Sequence, residues 1–161
     1  MEAVIRMENR VIIFHLGNER YGIDVELVKG IEKAQKQPVV RIPNSVPYIK
    51  GIINLRGNVI PVYNIRSKFS LEDIPTTDAT SLLITVVGSV ILAIWVDEVE
   101  GIFDIDSEQT FPAPAIIKSA ETSYILNIAH MEKGLAIILN AFHLLSEEEK
   151  QRVADMIEDV K

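Results

Sequence analysis

Residues Lys50–Tyr63 read KGIINLRGNVIPVY and contain two apolar runs on either side of a short polar turn. The runs are rich in Ile and Val, whose branched side chains favour extended backbone. Arg56, Gly57 and Asn58 separate them, and turn residues between two such runs are typical of a β-hairpin. We therefore predict two paired strands with Arg56 at the hairpin tip.

The same pattern recurs along most of the chain, with turn residues such as Gly17-Asn18 and Gly88-Ser89 between the apolar runs. Several runs are apolar at nearly every position, which favours strands packed on both faces or curled into small barrels. We therefore predict a mainly β protein. The further predicted strands are Val11–Leu16, Val39–Ile42, Leu82–Val87, Val90–Val96 and Leu135–Leu139.

A helix is predicted at the C-terminal end, over residues 146–160. Ser146 and Glu149 have the spacing of a capping box, in which each side chain bonds to the other residue's backbone N–H. An apolar stripe at helical spacing follows, and it must pack on another part of the protein. We interpret the helix as a cover for the β core; the alternative is an exposed helix that binds a partner. The stripe consists of Val153, Met156, Ile157 and Val160.

The first half of the chain is similar to the second. A shift of 71 residues aligns Ile12–Ile31 with Leu83–Ile102 and gives 7 identities in 20 positions. A shift of 76 residues aligns Tyr48–Ile52 with Tyr124–Ile128, and glycines at turns match in the same order. Strands rich in Val and Ile also align with one another by chance, which is the alternative. We favour an internal duplication.

The duplication predicts two β subdomains, residues 11–69 and 80–145, joined by the polar linker Ser70–Ala79. Each is too small to bury its own apolar surface well, so we expect the two to share a core. Together with the helix they form one domain over residues 1–161. Because clefts between packed units are common binding sites, the groove between the subdomains is the expected site.

The composition argues against several functions. The chain has 161 residues, with 16 basic and 23 acidic side chains and a net charge of -7, which argues against a nucleic-acid partner. It has no cysteine, and hence no disulfide, thiolate metal site or cysteine nucleophile. The most apolar stretch, Leu82–Val96, is too short and too interrupted to span a membrane. We expect a soluble, cytoplasmic protein without direct membrane insertion.

The sequence shows no catalytic or metal-binding motif. His15, His130 and His143 lack the spacing of metal ligands, so we interpret them as structural. The acidic group within Asp97–Glu100 is interpreted as a solvent-facing run rather than an acid–base pair. We therefore predict no catalytic residues, no metal and no cofactor.

Two elements are candidates for protein binding. Arg56 stands beside Gly57, which adopts positive φ easily, so the turn holds the guanidinium outward. Arginine is common at interaction hot spots, although a solvated turn arginine is the simpler interpretation. The apolar segment Phe111–Ile117 contains two prolines, and it either closes the core or forms an exposed docking ridge.

A set of motifs spread along the chain is more specific than its composition. Tyr48–Gly57 reads YIKGIINLRG and ends in the tetrapeptide Asn-Leu-Arg-Gly. The other motifs are Tyr21–Val25, Ile42–Asn44, Ile60–Val62, Lys68-Phe69, Val96–Val99, Pro112–Pro114 and Ala136–Leu145. Together these motifs resemble the CheW family of chemotaxis coupling proteins. The resemblance spans nearly the whole chain, and the tetrapeptide is shared mainly with the related regulatory domain of CheA kinases.

The resemblance implies a fold of two five-stranded SH3-like barrels and a scaffold without catalytic activity. It implies as partners the regulatory domain of the CheA histidine kinase and the cytoplasmic tips of methyl-accepting chemoreceptors. The implied receptor-binding residues are Val28, Gly30, Ile31, Asn54, Leu55, Arg56 and Gly57. The implied kinase-binding residues are Phe111, Pro112, Ile116 and Ile117.

Some positions depart from the family pattern. Gly30 stands where many members have a glutamate, Asn64 replaces a frequent aspartate and Asn127 a frequent glycine. These departures favour, as one alternative, a coupling paralogue that serves another kinase pathway. The other alternative is a small-ligand-binding or enzymatic protein that uses the groove, with His130 or Asp97 among its polar residues.

Overall fold

The computed structural model describes residues 9–43, 46–114 and 123–160, which are mainly β with a long helix near the end. The strands are β1 (Asn9–Leu16), β2 (Glu19–Asp24), β3 (Val28–Lys33), β4 (Ile49–Leu55), β5 (Asn58–Asn64), β6 (Ser81–Val87), β7 (Val90–Val96), β8 (Glu98–Ile105), β9 (Thr110–Phe111), β10 (Ile125–Met131) and β11 (Gly134–Leu139). The α-helices are α1 (Ile65–Lys68) and α2 (Glu147–Val160).

These strands form two sheets in the described part of the chain. The order is β8-β1-β2-β11-β10-β9 in the first sheet and β3-β6-β7-β5-β4 in the second. Neighbours pair antiparallel, except that β11 runs parallel to β2 and β5 runs parallel to β7. The predicted mainly β fold of two SH3-like subdomains and a C-terminal helix is confirmed. The first sheet differs by including the two-residue strand β9 as a sixth strand.

The two halves of the repeat follow the same plan. Strands β1 to β5 correspond to β6, β7, β8, β10 and β11, and exchanging each strand for its counterpart converts one sheet order into the other, apart from β9. The irregularities also match, because the register shifts beside Gly101 in the β8–β1 pair and beside Gly30 in the β3–β6 pair. The topology and register of both sheets therefore support the predicted duplication.

The two sheets do not coincide with the predicted segments 11–69 and 80–145, because the halves exchange strands. Strands β1 and β2 of the first half join four strands of the second half, β8 to β11, whereas β3, β4 and β5 complete the sheet built on β6 and β7. A short 3₁₀ turn, Val25–Leu27, carries the chain from one sheet to the other. Each sheet thereby buries apolar surface from both halves, which neither half could bury well alone. The linker Ser70–Ala79 contains no helix or strand.

Alternate side chains of the central strands pack on opposite sides. In β1, Ile12, Phe14 and Leu16 belong to a cluster shared by both sheets, while Val11 and Ile13 belong to a cluster inside the first sheet. Strands β6 and β7 divide their side chains in the same way between the shared cluster and one inside the second sheet. The predicted burial on both faces and the predicted shared core are confirmed. Because both faces of these strands are buried, their sequences show no alternation of apolar and polar residues.

The predicted strand Val39–Ile42 is wrong. Only Val40 in this segment forms a β-bridge, which pairs it with β4 through backbone hydrogen bonds of 2.8 and 2.9 Å. Pro38 and Pro43 flank the segment and have no N–H to extend the pairing. The segment approaches β4 so closely that a side chain at Gly51 would collide with the backbone of Val40.

Helix α2 begins as predicted. The Ser146 hydroxyl accepts the N–H of Glu149 at 3.0 Å, and the Glu149 carboxylate accepts the N–H of Ser146 at 2.9 Å. Val153 is fully buried in the shared cluster, and the helix packs against β5 and β7 of the second sheet. The interpretation of this helix as a cover for the β core is confirmed for the face that carries Val153.

Candidate functional site

Arg56 and Gly57 form the two-residue turn between β4 and β5, where Leu55 pairs with Asn58. Both turn residues have positive φ, 52° and 88°. The Asn54 side chain accepts the Gly57 N–H at 2.9 Å and so fixes the turn. A left-handed conformation costs a residue with a side chain about 1–2 kcal/mol, and such strain is concentrated at functional sites. The predicted outward arginine is confirmed, since 76% of the Arg56 side chain is exposed.

A groove of about 530 Å³, here termed the Arg56 groove, lies beside this turn. The second sheet forms one wall and helix α2 forms the other. Because the lining is mostly apolar, the groove suits a partner that brings an apolar face. The apolar lining residues are Leu55, Val59, Ile60, Pro61, Ile84, Val90, Ile91, Val153, Ala154 and Ile157.

Charged residues complete the lining of the Arg56 groove. Lys29 of β3 and Arg56 bring positive charge, and two acidic residues, Glu32 of β3 and Glu158 of α2, bring negative charge. One oxygen of Glu32 lies 3.5 Å from Nη2 of Arg56. A long ion pair with an exposed partner contributes little to stability. The guanidinium can therefore exchange Glu32 for an acidic group of a partner at small cost.

The structure gathers part of the receptor-binding set that the resemblance implies. Asn54 shapes the turn, while Val28 packs against the shared cluster. Ile31 is 44% exposed and lines a separate cavity of about 210 Å³. The implied residues that line the Arg56 groove are Gly30, Leu55, Arg56 and Gly57.

The expected groove between the two subdomains is a different cavity from the Arg56 groove. The cavity of about 210 Å³ is lined by Ile31 of the second sheet and by Glu98 and Val99 of the first, so it lies where the two sheets meet. The Arg56 groove lies instead between the second sheet and α2. Sequence reasoning missed Lys29, Ile91 and Ile157 as parts of one site. They come from three elements far apart in the sequence, and only the apolar stripe of α2 gave a signal.

The residues implied in kinase binding belong to a different region. Phe111 lies in β9, pairs with Ile128 of β10 and is 42% exposed. Pro112 follows it and is also exposed. Ile116 and Ile117 lie outside the described residues. Phe111 and Pro112 thus form a small exposed apolar patch at the edge of the first sheet. The Arg56 turn belongs to the second sheet.

The first sheet carries a cluster of charged side chains around a cavity of about 280 Å³, here termed the ion-pair pole. Glu100 accepts two hydrogen bonds of 3.0 Å from Arg20 and lies 2.8 Å from Nε2 of His15. Burial raises the pKa of Glu100, but the bonds to His15 and Arg20 outweigh it and hold that pKa below its ordinary value of 4.5. The residues of the ion-pair pole are His15, Arg20, Glu98, Glu100 and Lys133.

Asp97 connects the two sheets. Its carboxylate accepts bonds of 2.9 and 2.6 Å from Arg66, after β5, and one of 2.7 Å from the N–H of Gly17, after β1. Burial raises the pKa of Asp97, but these bonds outweigh it and keep that pKa below the ordinary 3.8. The interpretation of Asp97–Glu100 as a solvent-facing run is wrong for Asp97 and Glu100, whose side chains are 13% and 20% exposed.

The Arg56 groove has the character of a protein-binding surface. Within residues 9–43, 46–114 and 123–160, no three His, Asp or Glu side chains are grouped so that they could hold a metal ion. Neither α-helix in this part of the chain has the length and apolar composition that a membrane crossing requires. An apolar groove with an arginine and a few charges at its rim is the usual anatomy of a protein interface.

Two SH3-like sheets with a shared core and an apolar binding groove define a protein-binding scaffold. The CheW-like domain family matches residues 10–149. The chain is 33% identical over 138 residues to chemotaxis protein CheW of Klebsiella aerogenes, which covers 86% of this chain and 82% of the relative. It is 32% identical over 151 residues to chemotaxis protein CheW of Bacillus subtilis, and the match covers 94% of this chain and 96% of that relative.

A solved structure agrees with these relatives. The crystal structure of scaffolding protein TtCheW from Thermoanaerobacter tengcongensis matches with a TM-score of 0.78 at 26% identity, covering 89% of this chain and 96% of that one. The chain belongs to the CheW family. Members of this family are non-enzymatic scaffolds that couple receptors to CheA in chemotaxis, and the predicted non-catalytic chemotaxis adaptor is confirmed.

Proposed function

We propose that this chain acts in the cytoplasm and holds the tip of a chemoreceptor in the Arg56 groove while a second surface holds the regulatory domain of CheA. The observation that carries this proposal is the strained turn beside the groove. Arg56 has φ of 52° although glycine would adopt that angle without strain, and its side chain is exposed at the rim of an apolar groove. A costly conformation that displays an arginine is best explained by a partner.

The floor and the rim of the groove contribute to binding in different ways. Leu55, Ile60 and Ile91 offer apolar surface, whose burial against a receptor helix supplies affinity. Arg56 and Lys29 place positive charge at the rim, which orients an acidic residue of the partner and rejects a basic one. Arginine is also among the residues that carry most binding energy at interfaces.

The kinase surface is proposed for the edge of the first sheet. Phe111 and Pro112 are exposed there, and they lie on a different sheet from the Arg56 turn. A scaffold with two separate surfaces brings kinase and receptor together by raising their effective concentration, without chemistry of its own. Ile116 and Ile117 remain part of this proposal on the strength of the resemblance.

The test is co-sedimentation of the chain with receptor cytoplasmic fragments and CheA from the same organism. Arg56→Asp should weaken receptor binding at least about tenfold, because it reverses the charge at a hot-spot position. Lys36→Asp is the matched control, since Lys36 is exposed and does not line the Arg56 groove, and it should bind like the native chain. Both variants should keep the native melting temperature within about 2 °C.

Two results would count against the proposal. Equal receptor binding by the native chain and Arg56→Asp would place the receptor elsewhere on the molecule. A large drop in the melting temperature of Arg56→Asp would show that Arg56 stabilises the fold instead. For the kinase surface, Phe111→Ser should weaken CheA binding and leave receptor binding unchanged.

A further inference from the structure

A small pocket opens at the edge of the first sheet, beside the exposed residues Phe111 and Pro112. Its volume is about 100 Å³. Thr110, which precedes Phe111 in β9, forms part of its wall, and so does Leu126 of β10, which is 52% exposed. The pocket therefore continues the proposed kinase surface toward the cluster inside the first sheet. Its buried apolar lining residues are Val11, Ile105, Ile138 and Leu139.

Asn127 brings a polar group into these apolar surroundings. It pairs with Ile138 across β10 and β11, and paired residues of antiparallel strands extend to the same face. Ile138 belongs to the cluster inside the first sheet, so the Asn127 side chain also points inward. Its Oδ1 is buried and accepts no hydrogen bond from the described residues. A buried acceptor without a donor costs free energy, and few of them persist in native proteins.

The donors that line the pocket beside Asn127 are already engaged. Among the described lining residues, Thr110 and Arg10 are the other two whose side chains carry donor groups. The Thr110 hydroxyl donates to the Ser107 carbonyl at 3.1 Å, and Nε of Arg10 donates to Asp104 at 3.1 Å. We expect the donor for Oδ1 to come from a molecule that enters the pocket. Rotation of the Asn127 amide about its last side-chain bond can turn Oδ1 toward the opening.

The counterpart of Asn127 in the second sheet is Gly51, by the shift of 76 residues that aligns β4 with β10. The segment around Val40 lies directly against this glycine, and Val39 packs on the cluster inside the second sheet. The chain itself therefore closes the second sheet at this place, where no side chain would fit at position 51.

The first sheet has the same plan without the same filling. Phe111 pairs with β10 as Val40 pairs with β4, so Thr110 takes the place of Val39. A threonine and an asparagine thus replace a valine and a glycine, and both line the pocket. The first sheet is left with a space that has one polar wall and that a side chain from outside can enter.

We propose that this pocket receives an apolar side chain of the regulatory domain of CheA, while a neighbouring N–H of the kinase donates to Oδ1 of Asn127. The inference rests on the proposed kinase surface at Phe111 and deepens it. A cavity of about 150 Å³ holds a benzene molecule, so this smaller pocket suits a branched aliphatic side chain. Arg10 and Asp24 bring opposite charges to its wall, so neither sign of charge is favoured in the occupant. A kinase segment without the N–H would leave Oδ1 unpaired, so Asn127 selects its partner.

The test measures, by calorimetry, binding of the purified CheA regulatory domain from the same organism to variants of the full chain. Asn127→Leu puts a larger apolar side chain into the pocket and removes the unpaired acceptor. It should raise the melting temperature and weaken kinase binding at least about tenfold. A residue that only supports the fold would not give these opposite signs. Leu126→Ser removes apolar surface from the wall and should weaken kinase binding at least about threefold.

Leu71→Ser is the matched control, because Leu71 is an exposed leucine of the linker and does not line the pocket. It should bind the kinase as the native chain does. Receptor binding should stay native in all three variants. If Asn127→Leu fails to fold, its melting curve will show this, and Leu126→Ser then decides the question.

The outcomes separate this inference from the proposed function. If Phe111→Ser weakens kinase binding while Asn127→Leu and Leu126→Ser bind normally, the kinase docks on the edge of the sheet without entering the pocket, and the inference is wrong. If Asn127→Leu binds the kinase more tightly than the native chain, the amide opposes the kinase, which also overturns it. If Phe111→Ser and both pocket variants all bind normally, the proposed kinase surface itself fails.

Discussion

The Arg56 groove and the ion-pair pole occupy equivalent places in the two halves of the repeat, yet they differ in chemistry. At one end of the molecule the lining is apolar and open, and at the other it is a network of charged side chains. The backbone plan is the same, so a few substitutions decide which end can accept an apolar partner. The equivalent residues are Ile91 and Arg20, Lys29 and Glu100, and Gly57 and Lys133.

The hairpin turns at the two ends differ as well. In the β4–β5 turn, Arg56 and Gly57 both have positive φ, whereas in the β10–β11 turn the positive φ falls on Gly134, at 120°. Of the described residues with a side chain, Tyr48, Arg56 and Ser70 have positive φ. Strain of this kind is therefore present in the turn beside the groove and absent from its counterpart among the described residues. The difference supports a binding role for the Arg56 end.

The largest expected difference between the two ends is in stability. Glu100→Gln leaves Arg20 and His15 without their charged acceptor, and hydrogen bonds to charged groups contribute about 1.5–3 kcal/mol, so the free energy of unfolding should fall by about 2 kcal/mol. Lys29, the residue equivalent to Glu100, is exposed, so Lys29→Gln should change the free energy of unfolding by less than about 0.5 kcal/mol. Urea unfolding of both variants checks this. Equal midpoints would mean that the ion-pair pole adds no net stability.

A smaller effect concerns acid stability. Because the pKa of Glu100 is lowered in the folded chain, its charge stabilises the fold at neutral pH, and this contribution is lost as pH falls through the folded pKa. The native chain should therefore begin to lose its advantage over Glu100→Gln as the pH falls below the ordinary carboxyl pKa of 4.5. Asp97, whose pKa is also lowered, is present in both chains, so both should still lose some stability in acid.

Urea unfolding at a series of pH values measures this effect. The Lys29→Gln variant should follow the native curve throughout, because it retains Glu100 and both of its partners. A constant gap between the native chain and Glu100→Gln down to pH 3 would contradict the lowered pKa. The groups that face Glu100 are His15, Arg20, Glu98 and Lys133.

Local sequence features were sufficient for much of the fold. Strands β1, β6 and β7 are apolar on both faces, and the turns between them contain glycine, so pattern alone located them. The capping box at Ser146 located the helix. The matching glycines revealed the repeat. Five strands were not predicted: β2, β3, β8, β9 and β10. Of these, β3 and β8 lie at sheet edges, and their alternating polar residues look like surface loop.

The exchange of strands and the composition of the groove could not be derived in the same way. The pairing of β1 with β8 joins residues far apart in the sequence, and nothing in the local pattern of β1 favours β8 over β3 as its neighbour. The Arg56 groove likewise combines Lys29, Ile91 and Ile157, which look like ordinary surface or helix residues in isolation. Arg56 itself was found because its turn chemistry is local.

The smallest expected effect tests the strain at the Arg56 turn directly. Asn tolerates positive φ better than Arg, and Asn-Gly is the preferred pair for this turn, so Arg56→Asn should raise the free energy of unfolding by about 0.5–1 kcal/mol. Lys133→Asn in the equivalent turn should give no such gain, because its φ is not positive. If Arg56→Asn stabilises the chain and weakens receptor binding, stability has been given up at this position for function. If it destabilises the chain, Arg56 is held there by its own folding interactions.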